Sequence, residues 1–270
     1  MIGLADFERR MRGAGDFAIL DDSHLHRATR EDDWGIIKTR DRLRAAALAA
    51  IAEEGLGEPA IRADLGDMIV FETAQGWRGH RWVMREGERI ARETLIIDGV
   101  ARAQALGRDP ATEAQRLAAS APVHAPLGEL RSGRGQYGTS PAPDLPPDFP
   151  PGAVAAATRL HRLWNARALD VAIENWSGPA DAPTREADFL LQMLARLPDA
   201  TLMIDRGLVG EGAVALLWRL HGHDGAGVRL RAIGRSVTFV QGDDIVREEM
   251  LIDMLSVAAQ PARPIIDYAL

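Results

Sequence analysis

The segment Arg235–Gln260, RSVTFVQGDDIVREEMLIDMLSVAAQ, has an earlier counterpart in the same chain, His80–Gln104, HRWVMREGERIARETLIIDGVARAQ. The two align without a gap as far as Asp98 and Asp253, pairing Gly87 with Gly242, Ile90 with Ile245, Arg92 with Arg247 and Glu93 with Glu248. Each carries a hairpin turn, a return strand and an aspartate where the strand runs out. An ungapped register that keeps turn, strand and terminal carboxylate together is the signature of duplication, so the expectation is two related units in tandem.

A chain of 270 residues has room for two such units, each of roughly 105 to 120 residues, enough to bury a core. We expect a first unit over residues 1–107, a linker over 108–152 and a second unit over 153–270. Density of Pro, Gly and Ser from Ala121 to Gly152, with LPPDFPPG near its end, marks the linker. Its length would let the units pack as a pseudo-dimer within the chain, which leaves open further homodimerisation.

A formal net charge of −7 opposes nonspecific attraction to nucleic acid or an anionic membrane. Cysteine is absent, which excludes disulfides, thiolate metal ligands and a cysteine nucleophile. MIGLADFERRMRG is amphipathic and charged rather than a leader, and no run of about 18 apolar residues occurs, so a cytoplasmic location is expected.

Leu4, Phe7 and Met11 share a helical stripe, and GDFAILDDSHLHRATREDDWG after them reads as loop with a short helix. Thr39–Glu54 is a helix with Thr39 as its cap and Gly55 as its stop. Strands follow at Ala60–Leu65, Met68–Thr73, His80–Arg85 and Arg89–Asp98, then a helix opened by Asp109-Pro110. In the second unit, Ala153–Trp176 is helical with a break near Asn165, and Thr184–Leu197 is a helix capped by Thr184. Strands are expected at Ala200–Leu208, Gly212–His223, Val228–Ile233, Ser236–Gln241 and Ile245–Asp253. Helices first and antiparallel strands afterwards give an α+β class rather than a parallel βαβ array.

The ordered set LWNARALDVAIENW, LARLPDATLMID, GEGAVALLWRLHGHDGAG, a turn at Gly234-Arg235 and GDDIVREEMLIDMLSVAAQ resembles the SnoaL-like polyketide cyclases of the nuclear-transport-factor-2-like superfamily. The resemblance covers most of Ala153–Gln260, and the first unit reads as a diverged copy. It implies two tandem cone-shaped α+β barrels, each a curved, mostly antiparallel sheet packed on helices around a pocket. Folds of this kind serve cyclisation, isomerisation, hydrolysis and plain binding, so function rests on the site.

Asp253 leads the candidates, because an apolar pocket raises a carboxyl toward the operating pH and makes it a usable base. Met250, Leu251, Ile252, Met254 and Leu255 around it are apolar. In the family an aspartate near this strand end is the acid/base, and Asp253 matches it; the competing role is a cap on a turn over Met254–Ala259. His223 in HGHDG matches the family's pocket-rim histidine, although the preceding Thr is missing, and would donate to a developing enolate; otherwise it is an exposed hairpin residue. His221 shares its face, and Arg219, Trp218, Trp164 and Trp176 would position substrate or fill core. Arg219 and Arg206 are candidate partners for Glu248 or a substrate carboxylate. Glu248 and Glu93 alternate inward as either sheet-face salt bridges, the favoured reading, or buried pairs. In the first unit Asp98, His24 and His26 are the corresponding candidates, the histidines in a polar loop near the cavity mouth. No third ligand completes a zinc site, so no metal is expected. No Gly-x-Gly-x-x-Gly follows a strand, and Walker, Gly-x-Ser-x-Gly and His-Glu-x-x-His motifs are missing.

These features point to a cofactor-independent lyase or isomerase acting on a small carbonyl-containing substrate through a pocket Asp. The alternatives are a non-catalytic ligand-binding or scaffolding protein of the same fold, and an epoxide or ester hydrolase, which needs an Asp-Arg-Asp cluster holding water to which Asp205 and Arg206 could contribute although their side chains alternate faces.

Overall fold

Leu4, Phe7 and Met11 fall on one buried face of a short helix α1 (Leu4–Glu8) that runs on as a π-helical turn, Arg9–Gly13. Leu4 joins Ile69, Phe71, Trp77, Val83, Ile90 and Leu95 in one cluster. Phe7 and Met11 join Ile19, Leu20 and Ala47 in another. This computed structural model describes residues 2–32, 35–120 and 142–260. It is a mixed α+β chain with helices packed on two sheets, of six and four strands. Its compact units are residues 1–130 with 251–270, and residues 131–250.

In the first unit α2 (Ile19–Ser23) leads into β1 (His24–Asp32) and β2 (Gly35–Lys38). Then come α3 (Arg40–Glu54), β3 (Ala60–Asp64), β4 (Met68–Glu72), β5 (Arg78–Glu86) and β6 (Arg89–Ile97). The sheet order is β2-β1-β6-β5-β4-β3. The polar stretch HLHRATRED therefore forms a strand where sequence pattern suggests a loop. Its periodicity is weak, and pairing decides it: Thr29–Asp32 pair antiparallel with β2, and His24 and Thr29–Glu31 pair parallel with β6. The alanine-rich α3 has high intrinsic propensity and stops at Gly55, φ 80°. Thr39 precedes it without a side-chain capping bond, at φ 76°, a strained conformation for a β-branched residue. Its backbone N–H donates to Ala28 O at 2.9 Å, tying the start of α3 to β1.

Helix α4 (Gly99–Ala105) starts at Asp98, whose Oδ1 accepts the Ala101 N–H at 2.9 Å. Helix α5 (Pro110–Ser120) has Pro110 at its first position and Asp109 accepting from Thr112 N at 2.8 Å. Residues 121–141 of the expected linker lie outside the described residues.

The second unit opens with α6 (Val154–Trp164), then a 3₁₀ turn over Leu169–Ile173 and α7 (Ala182–Arg196). The break after α6 follows from Asn165, whose side chain pairs both ways with the Leu202 backbone, at 2.9 Å to its carbonyl and 2.8 Å from its N–H. Helix α7 starts at Asp181 without a side-chain capping bond, upstream of the Thr184 expected to cap it. Strands β7 (Thr201–Gly210), β8 (Ala213–His223), β9 (Arg229–Gln241) and β10 (Asp244–Ile252) stack in the order β10-β9-β8-β7. The turn expected at Gly234-Arg235 does not exist, because β9 is continuous. Gly234 faces Trp218 across the ladder, and a Cβ there would sit 2.1 Å from the indole. Glycine is required at this position by an aromatic ring lying on the backbone, not by a bend.

An isolated parallel bridge links Trp176 to Ile245 of β10. The last helix among the described residues, α8 (Met254–Ala259), belongs to the first unit, where Leu255 and Ala259 cluster with Ala114 and Ala118 of α5. Among the described residues no helix is long and apolar enough to cross a membrane.

Candidate functional site

The first unit carries a partly open cavity of about 160 Å³. Its walls come from one face of α3 (Ala46, Ala47, Ala50, Ile51, Glu54), the π-helical turn (Met11, Arg12) and the sheet (Arg30, Asp32, Arg81, Leu95, Ile96, Ile97). Trp77, Arg102 and Asp253 complete the lining. Alanines at successive turns of α3 leave this space, since a helix with larger side chains there would close it.

Charges alternate along the wall. Arg81 is held by Glu8 and Glu93. Arg12 bridges Glu8 at 3.0 Å and Glu54 at 3.1 Å, and Glu54 takes Arg102 at 2.7 Å. Glu8, Glu93, Arg81 and Arg12 are all buried. Burial alone would raise the Glu93 carboxyl, but Arg81, then His24 and Arg30, outweigh it and hold the group well below the usual carboxylate range. Burial would likewise depress Arg81, yet Glu8 and Glu93 keep its pKa above the ordinary arginine value. Removing one member of such a network strands its partner, a loss of about 3 to 5 kcal/mol.

Asp253 is 2 % exposed and caps α8, its Oδ1 accepting Leu255 N–H at 3.1 Å and Ser256 N–H at 3.3 Å. Gly99 passes so close that a Cβ there would lie 2.3 Å from the same oxygen. Asp98 and Asp253, aligned in sequence, thus have the same local role at the starts of α4 and α8. His24 is buried in the first unit, with Nδ1 2.7 Å from Ser23 Oγ, Nε2 3.4 Å from Glu93 Oε2 and its ring 5.4 Å from Phe7. His26 is exposed on β1. These two histidines stand on a strand, not in a loop.

The remaining candidates belong to the second unit. Trp218 and Trp164 are fully buried with ring centroids 5.9 Å apart, and Trp164 meets Phe189 edge-on at 6.3 Å. Trp176 is half-buried and donates its indole N–H to Pro179 O at 2.9 Å. His221 is buried on β8. His223, at the strand end, is exposed and pairs through Nδ1 with Asp199 Oδ2 at 2.7 Å, while its backbone N–H donates to Asp199 Oδ1 at 2.6 Å. These bonds to His223 hold the Asp199 carboxyl below its ordinary value. Arg219 pairs with Asp205. Asp253 and His223 therefore fall in different units. Among the described residues no three His, Asp or Glu side chains gather in a metal-holding group.

Glu248 is paired with Arg159 of α6, at 2.5 Å, not with Arg219 or Arg206 as the sequence suggested. Arg159 also takes Glu186 of α7 at 3.0 Å, so two carboxylates share one guanidinium. All three side chains are largely buried. Burial first, and the Glu186 carboxylate second, push Glu248 up to about 7 against the pull of Arg159 and Thr238. Glu93 and Glu248 are both buried pairs, not the sheet-face salt bridges favoured from alternation alone.

Sequence reading missed Arg12, Arg30, Arg81 and Trp77, and with them Arg159 and Glu186. A signal existed for two of them. Arg81 alternates in phase with buried Val83 along β5, and Glu8 and Arg12 stand one helical turn apart next to Phe7 and Met11.

No family model matches the sequence, and no curated protein does. Solved structures to which the chain is similar include a candidate polyketide cyclase from Bacillus cereus ATCC 10987. That match has 14% identity over 47% of this chain and 95% of the other, with a TM-score of 0.37. Another is a candidate SnoaL-like polyketide cyclase from Jannaschia sp. CCS1, at 16% identity over 39% of this chain and 91% of the other, TM-score 0.33. A protein with a ketosteroid isomerase-like fold from Catenulispora acidiphila DSM 44928 aligns at 15% identity over 40% and 92%, TM-score 0.34.

Proposed function

We propose that this chain is a small-molecule-binding protein built from two tandem SnoaL-like units, with its ligand site in the cavity of the first unit. The observation that carries the reading is the cavity itself: about 160 Å³ of space walled by an alanine face and buried charged side chains. A partly open space lined by hydrocarbon and a few convergent polar groups is the usual form of a small-molecule site.

Proton transfer at a carbonyl is the second reading, favoured by the presence of a nearly inaccessible carboxylate, Asp253, in the cavity wall. The same carboxylate caps α8 through two backbone N–H groups, a structural role that accounts for its burial without any proton transfer. Binding therefore ranks ahead of lyase or isomerase chemistry.

The test uses Asp253→Asn, which keeps a capping side chain while removing the base. Wild type and variant are screened by thermal shift against small ketones and carboxylic acids, and bound ketones are followed by NMR for exchange of α-protons with deuterated solvent. Equal shifts in both proteins without exchange are expected for a binder. Exchange by wild type that disappears in Asp253→Asn would replace that reading with acid/base catalysis, and no shift with any compound would remove both.

A further inference from the structure

The charged side chains around the first-unit cavity form one alternating chain. Arg102 donates to Glu54 Oε1 at 2.7 Å, and Arg12 donates to the other oxygen, Oε2, at 3.1 Å. Arg12 also donates to Glu8 Oε2 at 3.0 Å, while Arg81 holds Glu8 through Oε1 and Glu93 through Oε2. Arg30 continues the series, 3.9 Å from Glu93 and 3.7 Å from Asp32. Guanidinium groups thus alternate with carboxylates from Arg102 to Asp32, and both oxygens of Glu54 and of Glu8 are engaged. Asp253, the carboxylate of the lining that stands outside this chain, accepts the Leu255 and Ser256 N–H groups at the start of α8.

A wall paired in this way offers an ion no unmatched counter-charge. An anion or a cation entering the space gives up its hydration, and recovers the loss only by breaking an Arg–carboxylate pair and stranding one member. Trp77, the aromatic residue of the lining, already carries a cation, with the Arg12 guanidinium 4.9 Å over its ring. Between the charges the wall is hydrocarbon, supplied by Ala46, Ala47, Ala50 and Ile51 of α3 and by Leu95 of β6. Apolar surface of this kind gains from covering an apolar body whatever the charges nearby. A cavity of about 150 Å³ accommodates benzene, so this one takes roughly six to nine non-hydrogen atoms.

We infer that the first-unit cavity selects an uncharged, largely hydrocarbon ligand the size of one small ring, held by apolar contact with the alanine face of α3, and that it discriminates against ions of either sign because its own charges are already matched. The inference rests on the cavity being the ligand site, as proposed above.

Calorimetry on the full chain at pH 7 tests it with benzyl alcohol, benzoate and benzylammonium, which share a ring and differ in charge. Benzyl alcohol is expected to bind at least about tenfold more tightly than either ion. Ala50→Leu puts a larger side chain on the same face of α3 and is expected to weaken benzyl alcohol by about tenfold or more, with melting of the ligand-free protein showing that the variant folds. If it does not fold, Ala46→Leu, one helical turn earlier, takes its place. Benzoate or benzylammonium binding as tightly as the alcohol, with the same loss in the filled variant, would overturn the uncharged class but keep the cavity as the site. Benzyl alcohol binding untouched by either substitution would put the site elsewhere and overturn the inference. Binding of none of the three probes would overturn both the inference and the placement of the ligand site.

Discussion

Glu93 and Glu248 occupy matching places on β6 and β10 and have opposite electrostatics. The cause is the local count of charges. Glu93 sees Arg81, His24 and Arg30, whereas Glu248 shares the single Arg159 with Glu186. The consequences for stability have opposite signs. Glu93 is depressed when folded, so its contribution is complete above the ordinary carboxylate value of 4.5 and is lost as pH falls toward its folded value. Glu248 is raised, so the folded state holds a proton that the unfolded chain has released between 4.5 and about 7. Stability of the second unit therefore declines as pH rises through that window and levels off above it. Denaturant unfolding from pH 5 to 8 is expected to show this decline in wild type and a flatter profile in Glu248→Gln. The variant gains on the order of 1 to 3 kcal/mol at pH 8 and little at pH 5. An unchanged slope in the variant would assign the decline to other groups. The alternation that turns both glutamates inward is legible in the sequence; the sign of each shift is not, because it depends on Arg159, 89 residues from Glu248, and on which other charges share it.

At the scale of elements, an aromatic ring across a glycine recurs. Phe71 on β4 faces Gly79 on β5, and Trp218 on β8 faces Gly234 on β9. A Cβ would lie 2.4 Å from the Phe71 ring in one case and 2.1 Å from the Trp218 ring in the other. Replacing a strand glycine by alanine ordinarily stabilises by about 0.5 to 1 kcal/mol. Here the overlap dominates, and Gly234→Ala is expected to destabilise by roughly 1 to 3 kcal/mol. Urea unfolding measures it, and a stabilised variant would mean that the indole has room to move. Trp218→Leu in the same background should recover part of the loss. From sequence alone Gly234 reads as a turn because glycine is the commonest turn residue, while its actual partner is sixteen positions away across a ladder. Strand β1 was hidden for a related reason: its side chains carry little pattern, and its two pairing partners supply the order. Helix α3, in contrast, is legible from propensity and Gly55, even though Thr39 does not cap it as expected.

For the whole molecule, the telling feature is α8. It comes from the end of the chain, yet lies in the first unit with Leu255 and Ala259 among Ala114 and Ala118 of α5. Leu255→Ala is expected to cost the first unit about 2 to 4 kcal/mol. Hydrogen exchange should show the lost protection first in α5, and an effect confined to β7, β8 and β9 would contradict this placement. The sequence by itself determined the helix and strand periods, most element ends, the α+β order and the repeated segments from which we propose a duplication. Those follow from propensity and from spacings of two and 3.6 residues, which neighbours along the chain set. Only the tertiary structure decided that residues 24–32 form a strand, that the cavity with Asp253 in its wall lies in the first unit, and which charges are paired. Burial and Coulomb energy depend on distance in space, and Arg81 finds Glu8 across 73 residues that no local pattern connects.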